Sequence, residues 1–129
     1  MKKYLYIGIG GFLGANVRFF IKSIYSGNST IPFATFMINI IGSFLLALIL
    51  TLCIKILNRK EHIKLSVTVG FLGSFTTFST FCKEIVNLYL YNDIKFSIWY
   101  LLCSVVFGVS FAYVGSFIAN VINKKLLFK

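Results

Sequence analysis

The stretch Gly70-Phe-Leu-Gly-Ser-Phe-Thr-Thr-Phe-Ser-Thr-Phe81 sets four hydroxyl side chains, Thr76, Thr77, Ser79 and Thr80, among three phenylalanines, Phe75, Phe78 and Phe81. Its meaning depends on what surrounds it. The 129-residue chain is 58% hydrophobic and 12% charged, with a mean hydropathy of +0.89, outside the balance of a soluble domain. The fold class is therefore all-α integral membrane protein. Hydrocarbon offers no water to satisfy polar groups, so a dense hydroxyl cluster at membrane depth is expected to face protein, a cavity or a permeating species. That makes 70–81 the first candidate for the working site.

Working outward, a helix needs roughly 20 apolar residues to cross the hydrocarbon core, and residues 31–54 and 96–123 are charge-free runs of that length. Two further spans carry functional interruptions: 4–17, which continues through Phe19, Phe20 and Ile21, and 65–82, which continues past Lys83 and Glu84. The expected domain is one four-helix unit over 1–129, with helices near 4–25, 31–57, 64–91 and 96–123. A cleaved signal peptide at 4–17 is disfavoured by its Gly-rich interior and the missing small-residue cleavage site. Cys53, Cys82 and Cys103 all fall within spans, odd in number and far apart, so they suggest neither disulfides nor zinc. His62 has no metal-ligand partner at suitable spacing and reads as a solvated loop residue.

The net charge of +10 does not require nucleic acid. With four crossings, Lys2, Lys3, Lys55, Arg59, Lys60, Lys64, Lys124, Lys125 and Lys129 share one side, nine basic residues against two, Lys22 and Lys95, in the opposite loops. The positive-inside rule then puts both termini and the middle loop in the cytoplasm, where anionic lipid headgroups are a sufficient partner.

In the first helix Gly10 and Gly14 form a small-x-x-x-small pair suited to close helix packing. Arg18, near or within the hydrocarbon layer, either snorkels to the interface or lines a polar path. Asn39, in the second helix, either bonds a neighbouring helix or donates an N–H to an anion. In the third, Phe75, Phe78 and Phe81 fit one packed aromatic stripe. Yet ring edges carry partial positive charge, and beside hydroxyl donors they make a weak anion site. Weak sites suit conduction, because the ion has to leave as readily as it enters. Gly70 and Gly73 permit a break exposing backbone groups beside 74–77.

Three blocks in order, Gly10-Gly-Phe-Leu-Gly-Ala-Asn-Val-Arg18, Thr35-Phe-Met-Ile-Asn-Ile-Ile-Gly-Ser-Phe44, and 70–81 followed by Glu84, resemble the Fluc (CrcB) fluoride channel family. The resemblance implies an antiparallel dual-topology-type dimer with a broken third helix, two anion pathways and a structural Na+ at the dimer centre. It further implies that Phe78 and Phe81 line the pore, that Asn39 donates to the ion, and that Ser79 and Thr80 belong to a polar track. By the same resemblance, Arg18 would attract anions at a vestibule and the Gly73 and Thr76 carbonyls would hold Na+. The fourth helix matches less closely: Ser104 is the implied pore residue, with Ser110 its rival. Ala34 and Ala47 stand where the family often has glycine, and Ser74 where a second glycine is common.

The implied activity is passive export from a prokaryotic plasma membrane, conferring fluoride resistance. HF crosses membranes neutral, ionises in the cytoplasm, and the trapped anion leaves through the pore. No enzymatic machinery is needed for this, and no nucleophile, acid–base pair or nucleotide loop stands out. A chain inserted in both orientations should carry little Lys/Arg bias, so the nine-to-two asymmetry favours pairing with an oppositely oriented paralogue over a homodimer. Two rival classes are a small multidrug-type four-helix exporter and a non-transporting membrane assembly subunit. The first would be expected to carry a membrane-embedded carboxylate, whereas Asp93 lies in a loop and Glu84 adjoins Lys83. For the second, the hydroxyls would be mere helix glue.

Overall fold

Without water to accept from an exposed N–H or donate to an exposed C=O, each apolar run closes its hydrogen bonds within itself, and the described residues are helical almost throughout. The computed structural model describes residues 2–25, 32–56, 61–91 and 94–127; Arg59, Lys60, Asp93 and Lys129 lie outside them. Helix α1 (Lys2–Ile24) is followed by α2 (Phe33–Ile56) and α3 (Glu61–Leu65), which runs into a π-helical segment (Ser66–Leu72) and the short α4 (Gly73–Phe75). After a two-residue interruption come α5 (Phe78–Tyr91) and α6 (Ile94–Leu127). Four helices are long and apolar enough to cross a membrane, Lys2–Ile24, Phe33–Leu52, Glu61–Tyr91 and Ile94–Lys125, and the chain is a multi-pass membrane protein.

Several boundaries lie beyond the apolar runs. Helix α6 has 34 residues, about 51 Å at 1.5 Å per residue, against a hydrocarbon core of roughly 30 Å. Hydropathy marks the lipid-buried part, whereas hydrogen bonding carries the helix into the interface, where Lys124 and Lys125 in its last turn suit the negative end of the dipole. His62 belongs to α3, not to a loop, and stacks on Tyr6 with ring centroids 6.0 Å apart. Lys22 likewise lies in the last turn of α1.

Two close helix contacts organise the bundle. Along α6, Gly115, Ala119 and Asn123 recur at four-residue intervals, all buried; Gly115 lies against the Phe44 carbonyl and Asn123 Nδ2 donates to Thr51 O at 3.1 Å, both on α2. On the other side, α1 meets the π segment backbone to backbone. A Cβ at Gly10 would run into the Ser66 carbonyl and one at Gly14 into that of Phe71, so only hydrogen at those positions permits the approach. Ser66 Oγ donates to Tyr6 O (2.6 Å) and Ser74 Oγ to Gly11 O (2.9 Å) across the same seam. Ile38, Leu72 and Phe75 form the core between α2 and this half of the third span. The outward faces, including Phe12, Phe19, Trp99 and Tyr113, are exposed and apolar, as the bilayer allows.

Candidate functional site

The interruption in the third span is built by side chains. Thr76 turns extended (φ −72°, ψ 152°), although its N–H and its hydroxyl both still bond Leu72 O, at 3.0 and 2.8 Å. The next residue leaves the helical ladder. Thr77 N–H donates to Asn39 Oδ1 at 2.9 Å, and Asn39 Nδ2 donates back to Thr77 O at 3.2 Å. One amide of α2 therefore holds both backbone groups of Thr77. The buried Thr77 hydroxyl then caps α5: it accepts the Thr80 N–H (3.3 Å) and donates to Thr80 Oγ1 (3.0 Å), the usual office of an N-cap threonine. Gly42 admits this arrangement, since a Cβ there would collide with Thr76 Cγ2.

Carbonyls are released as a result, those of Gly73 and Thr76 among them. In an unbroken α-helix the Thr77 N–H would reach Gly73 O and the Thr80 N–H would reach Thr76 O. Both donors are diverted to side chains, leaving Gly73 O and Thr76 O without their helical partners. Neither Gly70 nor Gly73 makes the break. Both stay helical, with no glycine at positive φ among the described residues, and Gly70 instead lies against Ile7 O at 2.5 Å measured from a notional Cβ.

Beside the break is a cleft of about 230 Å³ lined by Asn39, Ser43, Leu46, Thr76, Thr77 and Phe78. Phe78 projects from it, 78% exposed. Its ring centroid is 6.2 Å from that of Phe81, and Phe81 in turn lies 5.4 Å from Tyr100 of α6. One turn further along α6, the half-buried Ser104 donates to Tyr100 O at 2.7 Å. Ser110, exposed and bonded to Val106 O, lies away from this line. Phe75 does not share a stripe with the other two rings: it is 4% exposed, in the core, stacked on Phe71. The extended Thr76 resets the helix phase between them.

Among the remaining expected site residues, Ser79 is exposed at the start of α5, and Arg18 is half-buried on α1. Neither makes a side-chain hydrogen bond or ion pair among the described residues. The geometry adds one cluster. Glu84, whose side chain is 17% exposed, accepts a hydrogen bond from Thr35 Oγ1 (2.6 Å) and pairs with Lys22 Nζ (3.2 Å) through Oε1, while Oε2 accepts from Tyr100 OH (3.0 Å). It turns inward, whereas its exposed chain neighbour Lys83 does not pair with it among the described residues. Helical spacing was the available signal: Thr35 is one turn before Asn39, Tyr100 one turn before Ser104, and Glu84 one turn after Phe81 and Thr80.

These features define a class: a four-span α-helical membrane protein whose third span is broken around uncharged donors, aromatic rings and released carbonyls, with a side-chain constellation suited to holding and passing a small ion. The family profile described as CrcB-like protein, Camphor Resistance (CrcB), matches residues 5–116. A "Fluoride-specific ion channel FluC" of Ruminiclostridium cellulolyticum is 37% identical over 118 residues, covering 90% of this chain and 91% of the relative. "Fluoride-specific ion channel FluC 1" of Staphylococcus epidermidis is 41% identical over 114 residues, 88% and 93% of the two chains. Its namesake from Staphylococcus aureus is 36% identical over 113 residues, with the same coverage of 88% and 93%. The chain belongs to the CrcB family.

Proposed function

We propose that the protein is a fluoride-selective channel that lets cytoplasmic fluoride leave passively and so confers fluoride resistance; it is not an enzyme. One observation carries the reading: relatives named as fluoride-specific channels align with this chain over nearly its whole length and theirs. Physically, the site offers dipoles instead of a full cation. Ring edges at Phe78 and Phe81 and hydroxyls at Ser79, Thr80 and Ser104 replace part of a small anion's hydration shell, and the second N–H of Asn39 faces the same task. A site of that kind binds weakly, as a conducting site has to. Arg18 raises the local anion concentration at a vestibule, and a negative-inside potential drives the charge outward.

The working unit is an antiparallel dimer. Phe78, 78% exposed in the single chain, supports it, because a large ring that lines a pore needs a second wall. The nine-to-two distribution of basic residues favours cytoplasmic termini and an oppositely oriented paralogue as partner over a homodimer. A structural Na+ at the dimer centre fits carbonyls released at the break, those of Gly73 and Thr76. Neutral carbonyl oxygens are apt ligands for a hard cation, and the ion would supply a fixed positive charge that stitches two broken helices together. The test is fluoride efflux from liposomes containing the purified protein, alone and co-expressed with a paralogue, with Phe78 and Phe81 replaced singly. Vesicles that stay sealed to fluoride in both preparations would dismiss the reading.

A further inference from the structure

An anion route past Phe81 runs into a difficulty, because Tyr100, whose ring packs 5.4 Å from that of Phe81, donates its hydroxyl to a carboxylate. Glu84 sits one helical turn beyond Phe81, with its side chain 17% exposed. There a negative charge is screened far less than at a wet surface and stands next to the rings the anion has to pass. Neither Thr35 nor Tyr100 brings a charge to it. Among the described residues, the cation paired with it is Lys22, which reaches across from the last turn of α1 with its own side chain 35% exposed and Nζ 3.2 Å from Oε1. Ionisable groups at such depth are usually paired and mark ion pathways. Four elements converge on the group: α1 through Lys22, α2 through the fully buried Thr35, α5 through Glu84 itself and α6 through Tyr100.

We propose that Lys22 is the charge-compensating residue of the fluoride route: its ammonium, held against Glu84, cancels the carboxylate that would otherwise repel the anion beside Phe81. Lys22 is a positioning and compensating residue, acting through Glu84 and without touching fluoride. The inference rests on the fluoride-channel reading and names a residue that reading did not use. It also explains how an anion pathway keeps a half-buried carboxylate with three partners. The acid orders Lys22, Thr35 and Tyr100, and so joins α1, α2 and α6, while the lysine removes its field.

Fluoride efflux from proteoliposomes tests this with the unmodified protein, Lys22→Met, Lys22→Arg and the double variant Lys22→Met/Glu84→Gln. Lys22→Met is expected to slow efflux by about tenfold or more, corresponding to about 1.4 kcal/mol of added barrier. Lys22→Arg keeps the charge and runs close to the unmodified rate. The double variant removes both charges and keeps an acceptor for Thr35 or Tyr100, and it recovers to within about threefold of the unmodified protein. If the double variant is as slow as Lys22→Met, the lysine attracts the anion on its own or is merely structural, and the proposal is wrong; an unaffected Lys22→Met also overturns it. Should Lys22→Met fail to fold, the double variant decides: compensation requires it to conduct within about threefold of the unmodified protein, and a double variant that folds yet conducts at least about tenfold more slowly overturns the proposal. An unmodified channel that passes no fluoride would sink the fluoride reading itself, a separate outcome from either failure here.

Discussion

The two halves of the broken third span differ in almost everything except sequence proximity. The first half, 61–75, is welded to α1 by close backbone contacts at Gly10 and Gly14 and by the Ser66 and Ser74 hydroxyls, and it ends with Phe75 in the core. The second half, α5, begins with the projecting Phe78 and an exposed Ser79, and meets the rest of the bundle through both apolar and polar groups: the buried Leu88, Phe81 against Tyr100, Ser97 Oγ to Ile85 O, and the Glu84 cluster. One half is packed foundation and the other carries the exposed part of the candidate site. The Asn39–Thr77 pair at their junction lets a rigid, apolar support hand over to a polar, partly open face within two residues.

The largest effect should come from breaking the foundation. Gly14→Val drives a branched side chain into the Phe71 carbonyl, an overpacking with no flexible neighbour to yield, and costs about 3 kcal/mol or more. The yield of monodisperse protein in detergent should collapse, and a well-behaved Gly14→Val would show that α1 and the π segment can part. Next is the junction. Asn39→Ala orphans the N–H and C=O of Thr77 together, about 1–3 kcal/mol for each group left unsatisfied, and lets the third span relax toward a continuous helix that recaptures the Gly73 carbonyl. Fluoride efflux should fall by about a hundredfold, whereas efflux within twofold of the unmodified protein would detach the clamp from function. The contrast between the halves then sharpens at the rings. Phe75→Ile should lower thermal stability by about 1–2 kcal/mol. Phe78→Ile should leave stability within about 0.5 kcal/mol yet slow efflux by about tenfold. Equal stability losses at both positions would mean that Phe78 is core after all.

Four membrane-length spans were legible because lipid imposes one rule on every segment, and hydropathy reports it directly. The hydroxyl-and-phenylalanine stretch was legible as the candidate site for the same reason: its composition has no use on a lipid face. The position of the break was not. Gly70 and Gly73 suggested it, yet the extended residue is Thr76, because the Thr77 N–H is taken by a side chain 38 positions earlier. A glycine shows where backbone freedom exists, but a remote amide decides where it is used. The apparent stripe of Phe75, Phe78 and Phe81 failed likewise, since helical phase is a continuous count only until one residue leaves the helix. Glu84 looked like half of a neighbouring pair with Lys83, because sequence shows adjacency, whereas three other helices supply its partners.

The smallest effect is the most discriminating for the comparison. Ser74 lies in the foundation half, next to a released carbonyl, and its hydroxyl donates across the seam to Gly11 O at 2.9 Å; the same oxygen is also close to its own helix at Gly70 O and Phe71 O. If the first half supports and does not conduct, removing this hydroxyl should register only as weaker α1 packing. Ser74→Ala keeps helix propensity and removes one interhelical bond, worth about 0.6–1 kcal/mol in a membrane bundle, with an alternative acceptor no longer needed. The melting midpoint in detergent should drop slightly, while fluoride efflux stays within about twofold of the unmodified protein. Ser104→Ala, whose hydroxyl bonds only the Tyr100 carbonyl of its own helix, should show the reverse: unchanged melting and slower efflux. If Ser74→Ala slows efflux while melting normally, conduction depends on how the foundation holds Gly73, and the division between support and working surface has to be moved at least one turn toward the N terminus.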